Sequence, residues 1–385
     1  MISLKPDFQL RERGTSVKTE IRAGVTTFMA MAYIIFANPA ILQAAGISFG
    51  GAVVSTCFVA GVLCILMGFL TNYPMCLAAG MGLNAIVAFT LVGTLGLSWQ
   101  TAMGVVVLEG LIVLALSASK WRGAVMDAIP APLKHAIAAG IGLFITFIGL
   151  QNGNFIKSNP ATMLSFEEFT NPVTVLSSIG FVVTAIFMIS RVRGALLFGI
   201  VATALFGMLP VWPLEHLPGN PAHAGRGSLI PLPREFFHLP DDWSTFFQFN
   251  LRAALRWELL PVAFALLMTD FFDTLGSAVA VVSKAGLLDE NGRIPKLRRL
   301  LIIDSIGAVF GGMAGCSSNT CYVESAAGVT EGGRTGLTAI TCGVLFLLAM
   351  FFAPFVRVVG GGVEIAPGVI KYPVTAAVLC LSDFS

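Results

Sequence analysis

Apolar runs of bilayer-spanning length recur from one end of this chain to the other, and that pattern restricts the fold to a bundle of membrane-crossing helices. Spans are read near residues 23–42, 51–71, 76–94, 101–118, 131–150, 173–189, 194–211, 256–282, 299–313, 315–330, 335–354 and 367–382. Of the 385 residues, 56% are hydrophobic and only 11% are charged, a balance no ordinary soluble domain shows. The expected class is an all-α polytopic membrane protein. A net charge of +2 gives no bulk attraction for nucleic acid or for an acidic partner, so the lipid bilayer is the one macroscopic partner implied.

The first 22 residues mix charges of both signs and lack an apolar core followed by a small-residue cleavage site, so they read as a cytoplasmic lead-in. With the N-terminus inside, the cytoplasmic segments hold 16 of the basic residues, among them Lys120, Arg122, Lys134, Arg191, Arg193 and Lys284, and the outer segments hold seven. That excess obeys the positive-inside rule and implies a multi-pass protein of the plasma membrane, or of the inner membrane in a Gram-negative cell. The seven cysteines lie in or beside apolar runs without metal-site or disulfide spacing, so they read as packing residues, and no metal or cofactor is expected.

A long loop, residues 212–255, with several prolines and the aromatic stretch EFFHLPDDWSTFFQF, suits an interfacial segment and divides the chain in two. The third span is interrupted by CLAAGMGLNA and the tenth by GGMAGCSSNTCYVES, at matching positions in the two halves. Seven spans in the first half force the second to insert the other way up, giving a 7+7 inverted repeat with broken third and tenth spans. Interrupted segments at matching positions point to a midplane binding site, because irregular backbone survives at that depth only where it lines a cavity or is buried in protein.

Asp270 and Asp273 stand one helical turn apart in LLPVAFALLMTDFFDTLGSAVAVV, with Thr274 and Ser277 continuing the stripe. An acid at membrane depth costs about 2.5–3.5 kcal/mol on insertion scales, so it usually lines a polar site. Asn84 and Glu324 fall where the two broken spans turn helical. Together the four offer an amide plus carboxylates, a set suited to a small flat heterocycle with donors and acceptors on its edge and to carrying protons. Each has a structural alternative: Asp273 bonding freed backbone amides, Asn84 capping its own half-helix, Glu324 resting on a helix dipole. Glu109 and Asp304 have no companion in sequence and read as packing or interfacial acids, and His135 as a residue of the cytoplasmic boundary.

The segments GVTTFMAMAYIIFANPAIL, AAGMGLNA, TDFFDTLGS, KAGLLDENGRIPKLRR and CSSNTCYVESAAGVTEGGRTGLTA make the chain resemble the AzgA-like purine permeases, a branch of the nucleobase/cation symporters that includes xanthine and uracil permeases. The resemblance implies fourteen spans: a core domain (here 23–118 and 256–354) and a gate domain (131–211 and 367–385), the core moving against the gate in an elevator-type cycle. It implies proton-coupled uptake of hypoxanthine, guanine or adenine. Substrate contacts would fall on Asn84, Asp270 and Glu324, with Asn319, Cys321 and Tyr322 clamping the ring and Asp273 joining Asp270 in proton coupling. A homodimer stays an open option. Because the chain ends within the twelfth span at LCLSDFS, the expectation is a C-terminally truncated gate, which leaves open whether the polypeptide transports alone.

Three other readings fit less well. An intramembrane aspartyl protease needs converging acids from different helices and a GxGD-type sequence, which is absent. A channel would show rings of charge or filter repeats. An anion transporter of the related sulfate-transporter fold generally carries no acidic pair facing its substrate.

Overall fold

The computed structural model describes residues 8–119, 131–167, 169, 171–213, 226–233, 235–366 and 369–381. Lys120 and Arg122 lie outside them, as do the side chains of Lys134 and His135. The helices in chain order are α1 (Val17–Met31), α2 (Ile34–Gln43), α3 (Phe49–Thr71), α4 (Met81–Ala85, continued by π-helical Ile86–Thr94), α5 (Trp99–Ala118), α6 (Ala131–Asn152), α7 (Pro172–Ile189) and α8 (Ala195–Met208). Beyond the long loop come α9 (Leu260–Lys284), α10 (Leu297–Ala314), α11 (Ser325–Thr330), α12 (Gly336–Ala349), α13 (Ala353–Gly360) and α14 (Pro373–Leu381). Side-chain caps fix several starts: Ser16, Ser48, Ser98, Asn171 and Thr335 each accept a backbone N–H of the first turn of α1, α3, α5, α7 and α12.

Among the described residues six helical stretches are long and apolar enough to cross a membrane: Val17–Gln43, Phe49–Thr71, Trp99–Ser117, Pro172–Ile189, Trp257–Lys284 and Gly336–Gly360. The chain is therefore a multi-pass membrane protein. Several segments differ from the continuous spans read in the sequence. The first starts at Val17 rather than 23 and turns at Ala32–Tyr33, separating α1 from α2. The eleventh bends through a 3-10 turn, Met350–Phe352, into α13.

Packing between the halves is reciprocal. α3 lies on α12 as α5 lies on α10, and α1 touches α12 as α9 touches α5, contacts consistent with an inverted repeat. Both main crossings are lined by glycine. A Cβ on Gly336 would stand 2.0 Å from the Gly68 carbonyl oxygen, and one on Gly110 would stand 2.7 Å from the Val309 nitrogen. Small residues let backbones approach where lipid supplies no hydrophobic drive for helix association. α14 packs against α6, α7 and α8 instead.

The described part of the long loop lies across the helix ends. Trp243 and Phe246 pack on Phe58 of α3 at ring separations of 5.5 and 5.9 Å, and Phe237 stacks on Phe351 at 5.3 Å. Asp242 accepts from Ser48 Oγ at 2.6 Å and from Ser244 Oγ at 2.5 Å. Partial burial works against its charge, but the hydrogen bonds from Ser244 and Ser48 outweigh it and hold the carboxyl below its ordinary range.

Candidate functional site

The two glycine-rich interruptions meet. Leu77–Ala79 (β1) and Asn319–Cys321 (β2) form an antiparallel pair with Leu77 opposite Cys321 and Ala79 opposite Asn319. Gly80 N–H donates to the Ser318 carbonyl at 2.9 Å, Tyr322 N–H to the Cys76 carbonyl at 3.0 Å, and Tyr322 Oη–H to the Ala79 carbonyl at 2.6 Å. Each segment thus satisfies the backbone groups that the other leaves open, as a buried extended chain requires. A short helix follows each strand, α4 after β1 and α11 after β2.

α9 lays its polar stripe on β2. Ser318 Oγ donates to Asp270 Oδ1 at 3.3 Å, and the hydroxyls of Thr274 and Thr320 are 2.7 Å apart. Asp270 and Thr274 have no accessible surface. Among the described residues Asp270 Oδ2 has no hydrogen-bond partner. Asp273 does not share this burial: it lies on an uncovered flank of α9, near enough for its charge to act on Asp270 and Tyr322.

The other sequence-derived residues sit around the strand pair. Asn84 is fully buried; its Nδ2 donates to Asn38 Oδ1 on α2, at 2.5 Å, while its Oδ1 has no partner among the described residues. It does not cap α4, whose N-cap is Gly80. Glu324 stands at the N-cap of α11 without a capping bond there and accepts from Tyr33 Oη at 2.6 Å. Asn319 turns its amide to the Ser317 carbonyl at 3.1 Å, and Cys321 N–H donates to Asp304 Oδ1 at 3.0 Å. Of these residues Glu324 lines an open cavity of about 780 Å³, bounded also by Met188, Arg191, Arg193, Lys284 and Val323.

Two acids set aside in the sequence belong to this centre. Glu109 and Asp304 are 1% accessible, and both lie within electrostatic range of Asp270. Asp304 lies within hydrogen-bonding reach of Thr274, Thr320 and Cys321, and Glu109 of Asp270. This burial rules out the interfacial placement and agrees with packing between helices: the α5–α10 crossing brings both to the back of α9. The signal existed, since each interrupts an apolar run, and the membrane-depth cost that singled out Asp270 applies to them equally. Tyr33 and Asn38 carried no comparable signal.

The Tyr33–Glu324 bond ties the first span to α11. Tyr33→Phe removes the hydroxyl that donates to Glu324 and keeps the ring, so substrate affinity should fall about tenfold with the fold unchanged. The KM of uptake measures this, and an unaltered KM would separate Tyr33 from the site.

Residues 18–378 match the xanthine/uracil type of the Permease family. The chain belongs to that family, one of nucleobase/cation symporter-like permeases. It is 40% identical over 381 residues to the guanine/hypoxanthine permease PbuG of Bacillus subtilis, covering 95% of this chain and 82% of that one. It is 38% identical over 354 residues to the adenine permease AdeP of Escherichia coli, covering 92% and 76%, and 38% identical over 353 residues to the putative permease MJ0326 of Methanocaldococcus jannaschii, covering 91% and 77%. Its relatives are permeases, so this permease is a transport protein and not an enzyme, and the protease reading falls. In architecture it is similar to the transmembrane domain of the cyanobacterial bicarbonate transporter BicA, with a TM-score of 0.63 at 17% identity over 95% of this chain and 88% of that one. It is also similar to the murine anion transporter Slc26a9, with a TM-score of 0.59 at 11% identity over 95% and 60%. Identities that low speak for the fold alone.

Proposed function

We propose that this permease is a proton-coupled symporter of the AzgA-like branch that imports a purine base (hypoxanthine, guanine or adenine) by an elevator-type movement. The observation that carries the reading is Asp270, buried at membrane depth, with Oδ1 anchored to β2 by Ser318 and Oδ2 without a donor among the described residues, beside the Glu109 carboxyl. An acceptor held in that way suits an N–H on the edge of a heterocycle. Asn84, with its own unpaired oxygen, and Glu324, positioned by Tyr33, supply the further polar contacts. The names of the relatives, adenine and guanine/hypoxanthine permeases, support a purine.

Asp270, Glu109 and Asp304 lie within mutual electrostatic range, and like charges crowded in a dry interior are costly. One proton taken up with the base relieves that crowding, and this is the proposed coupling. Asp273 stands exposed on the flank of the same helix. The moving core comprises α1–α5 and α9–α12, and the gate comprises α6–α8 with α14. The 780 Å³ cavity opens beside Arg191, Arg193 and Lys284, the side assigned to the cytoplasm by the positive-inside rule, so the conformation is read as inward-facing with a cytoplasmic N-terminus.

Cells lacking their own purine permeases and expressing this protein should concentrate at least one of labelled hypoxanthine, guanine and adenine, and a protonophore should reduce that to equilibration. Accumulation of none of the three would remove the purine reading. Concentration that survives the protonophore would remove proton coupling alone.

A further inference from the structure

Three of the seven buried cysteines converge behind the strand pair. Cys64 of α3, Cys76 just before β1 and Cys342 of α12 place their Sγ atoms within 4.8 Å of one another, and none of the three has accessible surface. Among the described residues no fourth His, Cys, Asp or Glu joins them. Glycine brings the two helices together here: a Cβ on Gly343 would stand 2.6 Å from the Gly61 carbonyl oxygen and 3.1 Å from Cys64 Cβ. Cys76 comes from the non-helical segment between α3 and β1, held there by its N–H on Ser325 Oγ at 3.0 Å.

Small volume alone would be met by Ala or Ser, and it does not require orientation of the sulfur. Cys64 Sγ is oriented. It accepts from Leu77 N–H at 3.2 Å, a bond that persists when the sulfur is deprotonated, and as a thiol it donates to the Leu77 carbonyl at 3.2 Å. An N–H directed at a ligand sulfur is the outer-shell support that metal sites use. Three sulfurs about 2.3 Å from a central ion would stand roughly 4 Å apart, within the observed spread. Structural zinc takes four ligands, whereas an all-sulfur set of three suits copper(I), the soft monovalent ion.

We propose that Cys64, Cys76 and Cys342 bind one copper(I) ion. The ion fastens the entry of β1, and through it the paired strand β2 that Asp270 lies against, to α3 and α12. Binding ionises ligand thiols and releases protons, and because all three sulfurs are sealed from solvent the ion enters as the core closes during folding.

The test needs no transport assay. Intact protein from cells supplied with copper during expression should carry close to one copper per chain by elemental mass spectrometry, and X-ray absorption at the copper edge should show three sulfur neighbours. Cys57→Ala changes a buried cysteine outside the trio and should keep the copper. Cys76→Ser and Cys342→Ser should each lower it about tenfold or more. Folded, copper-free wild-type protein after growth in copper would overturn the proposal. Copper kept by folded Cys342→Ser, or nitrogen and oxygen in place of sulfur around the metal, would overturn it as well.

Discussion

Asp270→Asn should lower purine uptake by about 60-fold or more while the protein remains folded and in the membrane. The substitution keeps the shape and the acceptor that Ser318 uses, and it exchanges Oδ2, which has no donor among the described residues, for an NH2 group. A charge-assisted hydrogen bond to the base, about 1.5–3 kcal/mol, is replaced by a donor facing a donor, about 1–3 kcal/mol more. At 1.4 kcal/mol per tenfold, even the lower sum is about 60-fold. Stability should hold or rise, because the change removes one of the buried charges that crowd with Glu109 and Asp304. Initial uptake rates, normalised to monodisperse protein in the membrane, measure the effect. A rate within about tenfold of wild type would mean that the base does not bond to Asp270.

Asp270 was legible because an acid at membrane depth is anomalous whatever the fold, and Asn84 and Glu324 because glycine-rich runs mark where a helix stops. What the linear pattern does not contain is which helices cross. Glu109 and Asp304 become companions of Asp270 only through the glycine-lined packing of α5 on α10, a contact between residues distant in sequence. Helical phase also separates the two aspartates that sequence paired. Three residues are 300° of rotation, so Asp273 lies about 60° away from Asp270, whereas Thr274 and Ser277, at four and seven residues, return close to its line. Thr274 and Ser277 are buried accordingly, and Asp273 is uncovered. The break at Ala32–Tyr33 has neither glycine nor proline to announce it, so Tyr33 stayed hidden inside an apparently continuous span. The cysteine trio was invisible for the same reason as the acids: Cys342 lies on the other half of the chain from Cys64 and Cys76.

Asp304 should show the second large effect, and its two substitutions should differ. Its Oδ1 accepts the buried Cys321 N–H of β2, and its side chain also reaches Thr274 and Thr320. Asp304→Ala leaves that N–H unpaired and opens a cavity at the α9–β2 junction, at a cost of about 3–5 kcal/mol. The strand that presents Ser318 to Asp270 loosens with it, so purine binding, measured by thermal shift with each base, should be lost together with stability. Asp304→Asn keeps an acceptor for Cys321 and cannot take part in a shared proton. It should therefore restore stability and purine binding, while uptake driven by a proton gradient falls to equilibration. If Asp304→Ala binds purine as wild type does, Asp304 is not what holds β2 in place. If Asp304→Asn still concentrates purine to the wild-type level, the coupling proton does not reside on this carboxyl, and Glu109 becomes the group to test beside Asp270.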